Sequence, residues 1–333
     1  LMTNVGQTSN RGIELQLNAW LVETKDFSLN ATFNIGHNKN KIDKLASGEK
    51  EWILTSAWRN DVVNSDDYRA YVGGTSGLIY GYVNDGFYTV ADFESFDSKS
   101  RTWKLKEGVV DSSPLSDTPR PGNAKFKKLT PVDPNSTNPY QLTEADRTVI
   151  GNTTPKFSGG FGLNATYKGF DMSMFFNFMY DFDVLNANKI MLTTWADNKE
   201  NNFLMNIASD KRWRNFDDMG NEIRYSPEVL AEFNKNATMW NPTSIGRPIC
   251  MSYAVEDGSF LRLNSATLGY TLPSVWTKKV GLSKVRFYVS GNNLFTLTGY
   301  SGYDPEVNIA TGLTPNIDYD RYPRSRTYTF GAQ

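Results

Sequence analysis

One histidine, His37, and one cysteine, Cys250, leave this 333-residue chain few means of covalent catalysis. A Ser-His-Asp or Cys-His arrangement would have to recruit His37, and no Gly-x-Ser-x-Gly elbow presents a serine. Hard-oxygen pairs occur at Asp66-Asp67, at Asp217-Asp218 and at Asp133 with Asn135, but none has the Asp-x-Asp-x-Asp-Gly spacing of a calcium loop. Solvated loop carboxylates are the default. No metal site and no cofactor is therefore expected, with calcium the one ion the donor types suit. Gly159, Gly160 and Gly162 lack the helix that follows a nucleotide-binding turn, and fit a strand that bends. Three tryptophans of one long polar segment, Trp195, Trp213 and Trp240, are the aromatic candidates for contact with a ligand or a partner protein. The alternative for the same rings is a loop minicore.

The elements that must carry these residues are strands. Aromatic residues make up 14% of the chain, and the intervening segments are rich in Asn, Thr, Ser and Gly, a usage that favours strands and polar loops over helix bundles. Lys plus Arg (35) balances Asp plus Glu (36), so there is no electrostatic footprint for nucleic acid. The mean hydropathy is -0.49. No run of about 18 apolar residues marks a transmembrane helix, and the first residues lack the basic and apolar regions of a secretory signal. A strand pattern already under way at Gly12 suggests a segment of a longer chain.

Alternation with period two recurs over stretches of about ten residues, the length of a tilted strand crossing a bilayer. Ile13, Leu15, Leu17, Ala19 and Leu21 share one face, as do Phe27, Leu29, Ala31, Phe33 and Ile35. Phe157, Phe161, Leu163, Ala165 and Tyr167 follow, then Phe170, Met172, Met174, Phe176 and Phe178. Those last five are expected to face lipid, with Tyr180 near an outer aromatic girdle and Tyr167 near an inner one. Asn164, Asp171 and Asn177, on the opposite face, are expected to line a lumen and to be available to cargo. Further strands are expected at about 259–272, 284–298 and 325–333.

Short turns at 23–26, 168–169 and 273–283 alternate with long connections at 38–155, 182–257 and 299–323. Short turns on one side and long loops on the other describe an outer-membrane barrel. Strand direction then requires an even number of spanning strands within 38–155, where only Leu78–Tyr88 is a convincing candidate. That stretch is therefore expected in a loop excursion above or inside the barrel. Within the loops, Ser226-Pro227-Glu228 reads as an N-cap and first turn of a short helix, and about 186–198 as a weaker one.

With the strands placed, a series of local strings resembles the SusC/RagA family of TonB-dependent outer-membrane transporters. They are Asn10-Arg-Gly-Ile-Glu14, Tyr80-Gly-Tyr-Val-Asn-Asp-Gly-Phe87, Pro121-Gly-Asn-Ala-Lys-Phe126 and Ile150-Gly-Asn-Thr-Thr-Pro155. Glu256-Asp-Gly-Ser-Phe-Leu-Arg-Leu263, Gly291-Asn-Asn-Leu-Phe295, Gly302-Tyr-Asp-Pro-Glu306 and the closing Tyr322–Gly331 continue it. The resemblance implies an all-β fold in which residues 1–333 are the C-terminal portion of a roughly 22-stranded transmembrane barrel, with the plug domain and earlier strands outside this chain. It implies no catalysis. The function expected is import of oligosaccharides or peptides across the outer membrane of a Gram-negative cell, with the loops extracellular. The partners implied are a SusD-like surface lipoprotein as lid, TonB acting through a preceding region, the lipid bilayer, and a second transporter–lipoprotein pair in a homodimer. The alternative is a transporter-like barrel serving as a scaffold in a surface complex.

Overall fold

The computed structural model describes residues 6–59, 62, 66–115, 118–194, 204–207, 210–245, 247–308 and 312–333. Seven strands form one antiparallel sheet, the wall: β1 (Gln7–Glu23), β2 (Phe27–Lys44), β3 (Phe157–Tyr167), β4 (Phe170–Tyr180), β5 (Phe260–Thr271), β6 (Arg286–Thr298) and β7 (Thr327–Ala332). Spatial order equals chain order, so β2 pairs directly with β3 across the whole first loop. No spanning strand intervenes among the described residues, which satisfies the parity requirement. The stretch from Leu78 to Tyr88 divides into two short strands, Leu78–Gly81 and Asn84–Phe87, that belong to two small sheets of the loop.

The ladder register aligns the apolar residues of all seven strands on one face. Leu17 lies opposite Phe33, Phe33 opposite Phe161, and Phe161 opposite Phe176. Phe176 in turn lies opposite Leu263, and Leu263 opposite Phe295. A bulge at Asn264 between Leu263 and Ser265 shifts the alternation of β5, so Leu268 and Ala266 share a face with Leu263 and Leu261 rather than opposing them. At the short-turn end the same face carries an unbroken row of aromatic residues across five strands. In order these are Phe27, Tyr167, Phe170, Tyr270 and Phe287. Only Tyr167 was expected there; strands far apart in sequence align the rest.

Turn chemistry explains the tight end. Lys168 and Gly169 both have positive φ (46° and 92°), the geometry of a two-residue turn whose twist matches the strands it joins. The connection from β5 to β6 contains a short helix, α3 (Ser274–Thr277), and the two loop helices are α1 (Ala187–Met191) and α2 (Pro227–Phe233). Pro227 starts α2 as the sequence indicates, although the Ser226 side chain makes no capping hydrogen bond. The end of the weaker helix expected at about 186–198 falls on residues outside those described.

One expectation needs correcting. The first hairpin is not limited to about ten residues per strand, because β1 and β2 remain paired from Gln7 and Lys44 down to the turn. His37, Asn38, Lys39, Asn40 and Lys41 carry no apolar stripe, so the pattern that marks a membrane span ends while the backbone ladder continues.

At the long-loop end the three loops fold together into a cap. One core unites Trp58, Tyr68 and Ile79 of the first loop with Leu185, Ile190 and Cys250 of the second and Ile317 of the third. Another joins Tyr82, Phe126 and Leu142 to Met239, Trp240 and Met251. Burial pushes the Cys250 thiol up in pKa, so this cysteine is an inert core residue.

Candidate functional site

Wall and cap together define the region where chemistry can occur. The wall face opposite the apolar one bears Ser28, Asn30, Asn34, Asn164, Asp171, Ser173 and Asn177 in register. Neighbouring hydroxyls and amides on it bond to each other: Ser28 Oγ lies 2.6 Å from Thr166 Oγ1, and Asn30 Nδ2 donates to Asn18 Oδ1 at 2.7 Å. Asp171 accepts from Arg286 Nε at 2.8 Å across β5, where Gly269 leaves room for the guanidinium. Asn164 is exposed, whereas the acceptor oxygen of Asn177 is buried without a partner among the described residues. Phe175 is one of the aromatic residues on this polar face. Its ring lies over Gly160, where an added Cβ would stand 2.9 Å from Phe175 Cζ.

Cap and wall are joined by a buried ion-pair cluster. Arg262, on the polar face of β5 and 2% exposed, donates through Nη2 to Asp304 Oδ1 at 2.6 Å and through Nη1 to Asp304 Oδ2 at 3.1 Å. Glu306 stands 3.0 Å from the same guanidinium and also meets Arg324 at 3.2 Å. Burial works against the charged form of Asp304, but the hydrogen bonds from Arg262 outweigh it and hold the carboxyl below its ordinary value. Alongside, Glu256 accepts from Ser301 N at 3.0 Å and Ser301 Oγ at 2.8 Å, and pairs with Lys189 at 3.2 Å. The strings Glu256–Leu263 and Gly302–Glu306, far apart in sequence, are thus the two halves of one latch.

The other strings interlock in the same way. Asn84–Phe87 pairs with Ala124–Phe126, and Thr148–Asn152 with Leu78–Gly81. Asp146 accepts from Leu129 N, Thr130 N, Thr130 Oγ1 and Thr143 N at 2.7–2.8 Å. Burial opposes its charge, yet these donors hold its pKa well below the usual carboxylate range. It organises the segment from 128 to 146, and nothing in the sequence pattern singled it out.

Two of the three tryptophans lie inside the cap rather than on it. Trp240 is 1% exposed, with Nε1 donating to the Thr193 carbonyl at 3.0 Å and its ring 4.7 Å from Tyr253. Trp213 is 2% exposed and packs edge-on to Phe87 beside Ile223 and Leu230. Both fill loop minicores, the reading weighed for these rings against contact with a ligand or a partner. Trp195 lies outside the described residues. His37 sits at the strand end, its Nδ1 donating to the Lys156 carbonyl at 2.6 Å. Asp67 is buried and bonded to Ser56, while Asp217 and Asp133 each cap their own turns. Among the described residues no three His, Cys, Asp or Glu side chains converge on one point.

A feature missed in the sequence lies in the seam between the first and second loops. Two adjoining hollows of ≈ 180 and ≈ 450 Å³ are lined by Arg101, Arg120, Arg212, Arg214 and Arg224. The available signal was the run Lys211-Arg-Trp-Arg214 with Arg224 shortly after it.

No family model matches the chain. Over 98% of its length it is 32% identical to TonB-dependent receptor P3 of Formosa agariphila, of which it covers 29%. It is 25% identical, again over 98%, to TonB-dependent receptor SusC of Bacteroides thetaiotaomicron, of which it covers 26%. Among solved structures it superposes on the RagAB peptide transporter with a TM-score of 0.65 at 22% identity, covering 99% of this chain and 29% of that one. The chain is SusC/RagA-like. This SusC/RagA-like chain spans about three tenths of the length of the relatives it matches. Those relatives are receptors and transporters by name, none an enzyme. The all-β barrel-wall architecture, with strands in chain order and loops at one end, is the fold they share with it.

Proposed function

We propose that this SusC/RagA-like segment supplies wall and outer loops to a TonB-dependent outer-membrane importer. The observation that carries the proposal is the sidedness of the wall: one continuous apolar face with an aromatic row, one polar face, and a co-folded cap at a single end. A bilayer accounts for the first, a filled or aqueous lumen for the second, and recognition on the outside of a Gram-negative cell for the third. The cargo class is oligosaccharide or peptide, the lid is a SusD-like lipoprotein, and TonB acts through a part of the protein beyond this segment. Two such transporter–lipoprotein pairs associate as a homodimer. Polar wall residues such as Asn164 and Asp171 line the route, and no bond is made or broken.

The test is uptake by cells carrying the full-length receptor with its lipoprotein, using labelled oligosaccharide and peptide panels with and without TonB. TonB-dependent accumulation of one class is expected. Normal assembly of a surface complex without uptake of either class would instead identify a scaffold.

A further inference from the structure

The seam between the loops is rich in positive charge. Among the described residues that line it, five are arginines and one, Asp217, is an acid. Asp217 is already engaged by its own turn, accepting from Met219 N at 2.9 Å, Asn221 N at 2.8 Å and Asn221 Nδ2 at 2.9 Å. Arg214 is neutralised by Asp218 at 2.8 Å, and Arg224 by Glu222. Arg101 and Arg212 have no carboxylate partner among the described residues. Burial, together with the neighbouring Arg214 charge, pulls the Arg212 pKa below its ordinary value, the mark of a guanidinium that lacks a counter-charge. The indole N–H of Trp213, which lines the larger hollow, is buried without an acceptor.

Placement of Arg101 is equally specific. It closes the turn between the strands Phe93–Asp97 and Thr102–Leu105 with φ 56°, a left-handed conformation in which glycine or asparagine would rest with less strain. Its guanidinium lies 4.7 Å over the ring of Tyr225, which stacks against Phe96. An aromatic stack therefore holds one unpaired guanidinium at the smaller hollow while Arg212 stands at the larger one. Arg101 is exposed and Arg212 half-buried, so both guanidiniums can be reached from solvent, and the planar fork of an arginine matches a carboxylate with two parallel hydrogen bonds.

We propose that this seam is a cargo subsite for carboxylates, with Arg101 as the contact at the smaller hollow and Arg212 as the contact at the larger. The carboxylate belongs to a uronic-acid residue of an oligosaccharide or to the C-terminus of a peptide. This deepens the importer assignment and rests on it.

The experiment uses the full-length receptor with its lipoprotein, purified in detergent, and titrates matched ligand pairs by calorimetry. One pair is a galacturonate-terminated and a galactose-terminated oligosaccharide; the other is a peptide with a free and with an amidated C-terminus. The wild type is expected to prefer the carboxylate member of one pair by about tenfold or more, a preference that weakens with salt. Which pair shows it identifies the source of the carboxylate. In the double variant Arg101→Gly, Arg212→Gln the preference is expected to vanish. Glycine relieves the strained turn, and retained lipoprotein and an unchanged melting curve report that the cap is folded. Equal binding of both members of both pairs, or a preference that survives in the double variant, overturns the subsite. Loss of the lipoprotein from a folded double variant also overturns it, because the seam is then a protein contact. Import of neutral cargo with no carboxylate preference sinks the subsite alone. Absence of any binding or uptake sinks the importer assignment and the subsite with it.

Discussion

Wall and cap place the same residue types in opposite environments. In the wall, Leu17, Phe170, Leu268, Phe287 and Phe330 are exposed along one face, while in the cap Tyr68, Ile79, Trp240 and Ile249 are fully enclosed. Polar residues reverse in parallel. The wall's inner face leaves Asn164 exposed, whereas the cap buries Asp67, Asp146 and Asp304 among dense hydrogen bonds and ion pairs. The wall is thus stable only with an apolar solvent on one side, and the cap behaves like a small water-soluble domain. A hydrophobic residue alone does not tell the two apart; its spacing does.

The largest expected effect breaks the junction between the two regions. Arg262→Ala leaves Asp304 buried without its hydrogen-bonded counter-charge and should cost about 3 to 5 kcal/mol. The third loop should then become protease-sensitive in the full-length receptor while the wall stays folded. Unchanged protection of residues 299–323 would show that the latch does not join them.

Next in size is a test of sidedness. Met174→Arg places a charge on the apolar face and should cost about 2 to 4 kcal/mol in vesicles, whereas Ser173→Arg, one residue away on the polar face, should cost little. Equal costs would remove the distinction between the faces. The smallest effect concerns pH inside the cap. Burial raises the Asp67 carboxyl from 3.8 to about 6, against the opposing hydrogen bonds from Ser56. Because the folded pKa is the higher one, the contribution of Asp67 is most favourable below 3.8 and is lost as pH rises through about 6. Hydrogen exchange of the Tyr68–Tyr71 strand should therefore quicken between about pH 4 and pH 7, and Asp67→Asn should flatten that slope. The Arg262–Asp304 pair slopes the other way, weakening only as pH falls below 3.8, since the Asp304 pKa is depressed.

The wall could be read from the sequence because each strand reports its own sidedness every second residue. Phe27–Ile35 and Phe170–Phe178 needed no knowledge of their partners to be placed. The aromatic row and the bulge at Asn264 did need it, since both exist only in the register between strands. The cap was legible mainly through the strings from Tyr80, Pro121, Ile150, Glu256 and Gly302, which turn out to pair with one another. Its interior was not. Trp213 and Trp240 sit in a polar stretch that looks exposed, and part of the apolar shell that encloses them comes from another loop. The arginine seam escaped notice for the same reason: Arg101 and Arg212 are far apart in the chain and line adjoining hollows only when two loops fold together.

The shared core of the three loops has a consequence for the order of assembly. Ile317 completes a core that also holds Trp58, so the first loop is sealed only by a residue far along the chain. Contacts at such separation form late, because the intervening chain must be ordered before they are gained. A folding chain therefore carries an unsealed cap until β6 and the third loop are in place. Closure of that core brings together loops that β2 to β6 hold at one end of the wall.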